Sequence, residues 1–186
     1  MNVFISWSGE TSRAVAQALR DWLPSVIQVL HPWMSDEDLK KGARWSSALA
    51  ERLEKTDVGI SCLTPDNLNA PWLHFEAGAL AKRVQAAYVC PYLFLVEPGD
   101  LVGPFRDFQA TKAEREDTRK LLKTVNDALG EGKLPEPQLV RAFDKWWPEL
   151  EKSLSEIVPR EGQQPVQRTQ PEILAEVLAL ILGFFG

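Results

Sequence analysis

Residues 2–23, "NVFISWSGETSRAVAQALRDWL", pass directly from one periodicity to another. "NVFISW" (2–7) is an unbroken apolar run of strand length. Behind it "SGETSR" supplies capping side chains, and Val15, Ala18, Leu19, Trp22 and Leu23 then fall at helical spacing. The same alternation continues along the chain. "SVIQVLHPW" (25–33) reads as a second strand, and Trp45, Leu49, Arg52 and Leu53 define a helix over roughly 44–55. "VGISCLT" (58–64) is a third strand ended by the turn-forming "PDN", and Pro71 opens a helix over 71–86. "AYVCPYLFLV" (87–96) is a fourth strand, in which Pro91 points to an edge position or a bulge. Helices follow over 112–129, stopped by Gly130, and over 138–157. In the latter, Leu139, Phe143, Trp146, Leu150, Leu154 and Ile157 keep the helical period, while Pro148 is expected to kink or split it. Strands apolar along their whole length and flanked by helices call for a parallel sheet covered on both faces. The expected class is a doubly wound α/β sandwich.

A chain of 186 residues, 45% hydrophobic, can bury a core of its own. Its net charge of -5 and the lack of a Lys/Arg stripe disfavour nucleic acid as a partner. Cys62 and Cys90 sit in apolar runs, without companions at metal-ligand spacing, and are expected to be reduced and buried. The opening residues do not read as a secretory signal, so the expected location is cytoplasmic. No GxGxxG or GxxxxGK turn follows the first strand, which disfavours a dinucleotide-binding fold of the usual kind and a P-loop. His31 and His74 lack catalytic or metal-ligating companions at recognisable spacing. The expected division is a domain over 1–157, a linker "VPREGQQPVQRTQ" over 158–170, and an apolar helix "PEILAEVLALILGFFG" over 171–186. The apolar end of that helix is short for a bilayer, which needs about twenty residues. It needs a partner: the domain itself, a second chain, a further region or a membrane surface.

"PWLHFEAGALAKR" (71–83) poses a chemical question. On a helix, Trp72, Glu76, Ala79, Leu80 and Arg83 share one face, which sets a carboxylate among apolar groups. Burying a lone carboxylate costs several kcal/mol unless it is paired or faces a cleft. A salt bridge to Arg83 or Arg44 is the structural explanation, and a ligand cleft is the functional one. Other polar and aromatic residues favour the cleft. Ser6, Trp7 and Ser8 close the first strand, Trp33, Ser35 and Asp36 follow the second, and Trp45 and Trp72 open helices. In an open α/β sheet, ligands bind beyond the strand C-terminal ends. Such a rim suits a flat, hydroxyl-bearing ligand, while Trp22, Trp146 and Trp147 are assigned to packing.

Taken in order, "VFISWSGE", "HPWMSDEDLKKGARW" and "DVGISCLTPDNLNAPWLHFEAGAL" resemble the Toll/interleukin receptor (TIR) domain family, particularly its bacterial members, over about residues 1–150. The resemblance implies a flavodoxin-like sheet of about five parallel strands. For many members it also implies cleavage of NAD⁺ by the glutamate of a WxxxE helix, here Glu76 of Trp72–Glu76. The loop "MSDEDLKKGAR" (34–44) corresponds to the family's BB loop, which rearranges on assembly and helps complete a site between subunits. Ser6, Trp7, Trp33, Ser35, Asp36, Trp45 and Trp72 match positions near the pocket. Many relatives carry an aromatic or basic residue after the first-strand serine, and here Trp7 takes that place, which leaves open how the ligand's phosphates are met; Lys40, Lys41 and Arg44, beside Gly42, are the candidates, with a solvated loop as the alternative. The implied setting is antiphage or innate-immune signalling, with self-association into an oligomer or filament.

One acid suffices for that chemistry. Glycosidases pair two carboxylates because a neutral leaving group must be protonated. NAD⁺ already carries a cationic pyridinium, so nicotinamide leaves neutral and no general acid, cofactor or metal is called for. A single carboxylate can hold the ribose hydroxyls and stabilise the developing oxocarbenium. The rivals are a non-enzymatic TIR scaffold that only self-associates, and a nucleoside hydrolase or transferase of related topology.

Overall fold

The computed structural model describes residues 1–34, 55–69, 88–101 and 103–158. Among these, five strands form one sheet: β1 (Asn2–Ser6), β2 (His31–Met34), β3 (Val58–Leu63), β4 (Tyr88–Leu93) and β5 (Thr111–Lys112). Their order is β2-β1-β3-β4-β5, and every neighbouring pair is parallel. The helices are α1 (Glu10–Val26), α2 (Arg115–Asp127) and α3 (Glu136–Ser155).

Alternation along the strands sorts side chains between two cores. Val3 and Ile5, Ile60 and Cys62, and Cys90 and Tyr92 face α1, α2 and α3. Phe4, Trp33, Leu63, Val89 and Leu93 face the opposite way, where Leu101 and Phe105 of the β4–β5 connection cover them. That connection crosses with short 3₁₀ turns, Pro98–Asp100 and Gly103–Asp107, in place of an α-helix. The helical side is knit by aromatic rings. Phe143 of α3 lies edge-on to Trp22 of α1 at 6.1 Å and tilted against Trp147 at 5.4 Å. The Trp22 indole N–H donates to the Trp146 carbonyl at 2.7 Å, tying α1 to α3. Tyr92 Oη and Thr118 Oγ1, 2.9 Å apart and buried, tie β4 to α2.

Several sequence expectations are corrected. The expected strand over 25–33 begins only at His31, because α1 runs through Pro24 to Val26. Trp22, Leu23, Val26 and Ile27 extend the buried helical stripe, and Pro24 falls in the last turn. β4 is an interior strand, paired with β3 and β5. Phe94 N–H donates to Leu63 while the Leu93 carbonyl accepts from Ala113, so alternation turns the donor-less Pro91 nitrogen toward β5. There β5 pairs only with Tyr92 and Leu93, so the missing donor breaks no ladder bond. Pro148 does not split α3, whose buried stripe of Leu139, Phe143, Trp147, Leu150 and Leu154 runs past it. Trp147, in place of Trp146, takes the core position on that stripe. Leu95 has φ 57°, a left-handed conformation that costs a residue with a side chain about 1–2 kcal/mol. The expected helix over 44–55, but for its last residue, the helix over 71–86 and the segment 159–186 lie outside the described residues.

Candidate functional site: the β1/β3 rim

With this strand order, the chain's crossovers diverge between β1 and β3. In flavodoxin-like sheets the ligand crevice opens at that switch point, beyond the strand C-terminal ends. Here the rim is built from the residues that follow Ser6 and Leu63. Ser6 and Ser61 are register partners, both buried, and the Ser6 hydroxyl donates to Ser61 Oγ at 3.0 Å. Just above them, Asn67 locks the two strand ends together. Its carboxamide donates to the Ser8 carbonyl at 3.1 Å and to the Cys62 carbonyl at 3.0 Å, and accepts the Thr64 N–H at 2.8 Å. Asn67 is fully buried and supplies a partner to the Thr64 N–H and the Cys62 carbonyl, while the Ser8 carbonyl has a second donor in Ser12.

The turn after β3 is braced further by Thr64, whose hydroxyl donates to Asp66 Oδ1 at 2.6 Å. Across the gap, the Ser12 hydroxyl donates to the Ser8 carbonyl at 2.7 Å and accepts the Ser8 N–H at 3.0 Å, which sets the entry into α1. Gly9 makes the bend at φ +90°, and a Cβ there would stand 3.2 Å from Asp66 Oδ2. Only glycine turns comfortably at that angle.

Trp7 sits at the rim, partly buried against the helical core, with the Arg13 guanidinium 5.5 Å from its ring centroid. Its indole Nε1 is buried and has no hydrogen-bond partner. A buried indole donor nearly always finds an acceptor, and among the described residues this N–H has none. Trp33 is placed differently. It is 8% exposed and tilted against Phe4 at 4.4 Å, within the core of the second face. Ser35, Asp36, Lys40, Lys41, Gly42, Arg44, Trp45, Trp72 and Glu76 lie outside the described residues. The structure thus brings together Ser6, Trp7 and Ser8 from the sequence-derived set.

Sequence reasoning did not single out Ser12, Ser61, Thr64, Asp66 or Asn67 as builders of the rim. The signal was present in "TPDN", read only as a turn: Thr, Asp and Asn are the side chains that bond to nearby backbone. The cysteine thiols play no part at the rim. Burial raises the Cys62 thiol far above its ordinary range and pushes Cys90 up to about 12, which leaves both poor nucleophiles. Among the described residues no group of three or more His, Cys, Asp or Glu is placed to hold a metal ion. Among them, too, no helix is long and apolar enough to cross a membrane.

Sheet order and rim together define a flavodoxin-like α/β protein with its candidate ligand edge at β1/β3. The family model of the TIR domain matches residues 3–124, and the chain belongs to that family. Its fold can be set beside two solved structures. One is described as the structure of the activated Roq1 resistosome directly recognizing the pathogen effector XopQ (TIR domains). It is 16% identical, with 97% of this chain and 98% of that chain covered and a TM-score of 0.42. The other is an azoreductase from Bacillus anthracis str. Sterne, 10% identical, with 83% and 96% covered and a TM-score of 0.35. Among curated proteins no match was found.

Proposed function

We propose that this TIR domain cleaves the N-glycosidic bond of NAD⁺, with Glu76 as its carboxylate. The observation that carries the reading is the coincidence, in a chain of the TIR family, of a Trp72–Glu76 pair at WxxxE spacing with an acid on an otherwise apolar helical pattern. The β1/β3 rim supports it, since its buried, unpartnered Trp7 N–H is a donor for a ligand oxygen.

In this reading the bond between ribose C1′ and the pyridinium nitrogen breaks, and its electron pair goes to the nitrogen, so nicotinamide leaves neutral. Glu76 holds the ribose hydroxyls and stabilises the oxocarbenium as charge develops. Water then adds at C1′ and loses a proton, giving ADP-ribose; attack by a ring nitrogen or hydroxyl of the same nucleotide gives a cyclic product. Trp7, Ser35, Asp36, Trp45 and Trp72 surround the substrate, with Lys40, Lys41 and Arg44 available to its phosphates; Trp33, buried against Phe4, backs the site from the core. The loop over 34–44 completes the site on self-association, in immune-type signalling inside the cell.

The test is nicotinamide release from NAD⁺ by the purified chain over a wide range of protein concentration, with Glu76→Gln alongside. The expected loss in the variant is about a thousandfold, with an unchanged far-UV circular dichroism spectrum. Retained release in Glu76→Gln would remove that residue from the chemistry. No release at any concentration would favour a scaffold, and release from nucleosides but not NAD⁺ would favour a nucleoside-processing enzyme.

A further inference from the structure

The C-terminal ends of β4 and β5 carry a separate feature, on the same sheet edge as the β1/β3 rim. A shallow groove of about 450 Å³ opens between the residues after these strands and the last turns of α3. Phe94, Leu95, Trp147, Leu154 and Ile157 supply its apolar lining. Leu95 is 62% exposed although it is held in left-handed backbone, an unfavourable arrangement for a large apolar side chain facing water.

We propose that this groove is the docking site for residues 171–186 of the same chain. Ile157 lines the groove, and the chain continues from Val158, so the tether starts at the groove itself. The linker over 159–170 spans up to about 40 Å when extended, ample to fold the following segment back. A tether of this length gives the segment an effective concentration on the order of millimolar, which favours its own groove over another copy's. The segment's pattern fits an apolar seat. Ile173, Leu174, Val177, Leu178 and Ile181 leave Glu172 and Glu176 as its only charged side chains, four residues apart, which a helix would set on one face. The opposite face has to be covered.

Disulfide trapping in the full chain tests the inference. Cys62 and Cys90 are buried and leave a quiet background. Leu95→Cys with Leu178→Cys, mildly oxidised, is expected to give an intramolecular link in the monomer. Its yield should exceed by at least tenfold that of Val29→Cys with Leu178→Cys, a control on the opposite sheet edge where Val29 is 51% exposed. Should Leu95→Cys impair folding, Ser155→Cys, exposed in the same groove, replaces it. A covalent dimer as the main product would assign the groove to a second copy and overturn the inference, and a yield no greater than the control would overturn it as well.

Discussion

Asn67 shows how much a single buried carboxamide can organise. Replacing it with alanine strands the Thr64 N–H and the Cys62 carbonyl away from water, while the Ser8 carbonyl keeps its bond from Ser12, and each unsatisfied buried group costs about 1–3 kcal/mol before relaxation. We expect Asn67→Ala to lose about 2–4 kcal/mol overall, read as a lower urea midpoint at unchanged slope. Gly9→Ala is expected to destabilise by about 1–2 kcal/mol, because the backbone is at φ +90° and the new methyl presses on Asp66; a thermal melt reads this directly. At this scale the candidate acid was legible: Glu76 is conspicuous because an apolar helical pattern has no routine place for a carboxylate. Asn67 was not, because an Asn after Pro-Asp is an ordinary turn residue until both strand ends it joins are known.

Among the elements, α3 is held to α1 through Phe143, which is fully buried between Trp22 and Trp147. Phe143→Ala should cost about 3–5 kcal/mol, measured by chemical denaturation, since the rigid rings on either side cannot close the gap. Among the described residues, β1, β3, β4 and the three helices were readable from periodicity, whereas the two-residue β5 and two further element details were not. The stretch 25–33 holds β-branched residues that suit a strand, yet Val26 and Ile27 continue the stripe α1 buries, and packing prevailed over propensity. Pro91 looked like an edge marker, because which side of a strand its nitrogen faces depends on where the neighbouring strand begins.

For the molecule as a whole, burial couples thiol ionisation to folding. Cys62 and Cys90 have folded values raised above the ordinary 9.0, Cys90 to about 12. In the window above 9.0 the unfolded chain therefore binds fewer protons than the folded one, so stability is full below 9.0 and falls as pH rises toward about 12. The urea midpoint should drop between about pH 8 and about pH 10, one unit below and above the ordinary value. At neutral pH the thiols should react with a disulfide reagent only as fast as the core opens.

By itself the sequence determined the α/β class, the first four strands and the three helices of the described residues, the buried cysteines and the candidate acid. These depend on periodicity and on side-chain chemistry within a few residues. Tertiary structure alone decided the order β2-β1-β3-β4-β5, and with it that the ends of β1 and β3 stand side by side. It also placed Trp33 in the second core against Phe4, left the Trp7 N–H without a partner and set Asn67 across the rim. Each of these is a contact between residues far apart in the chain, decided by which surfaces can be buried together and which polar groups must then be satisfied.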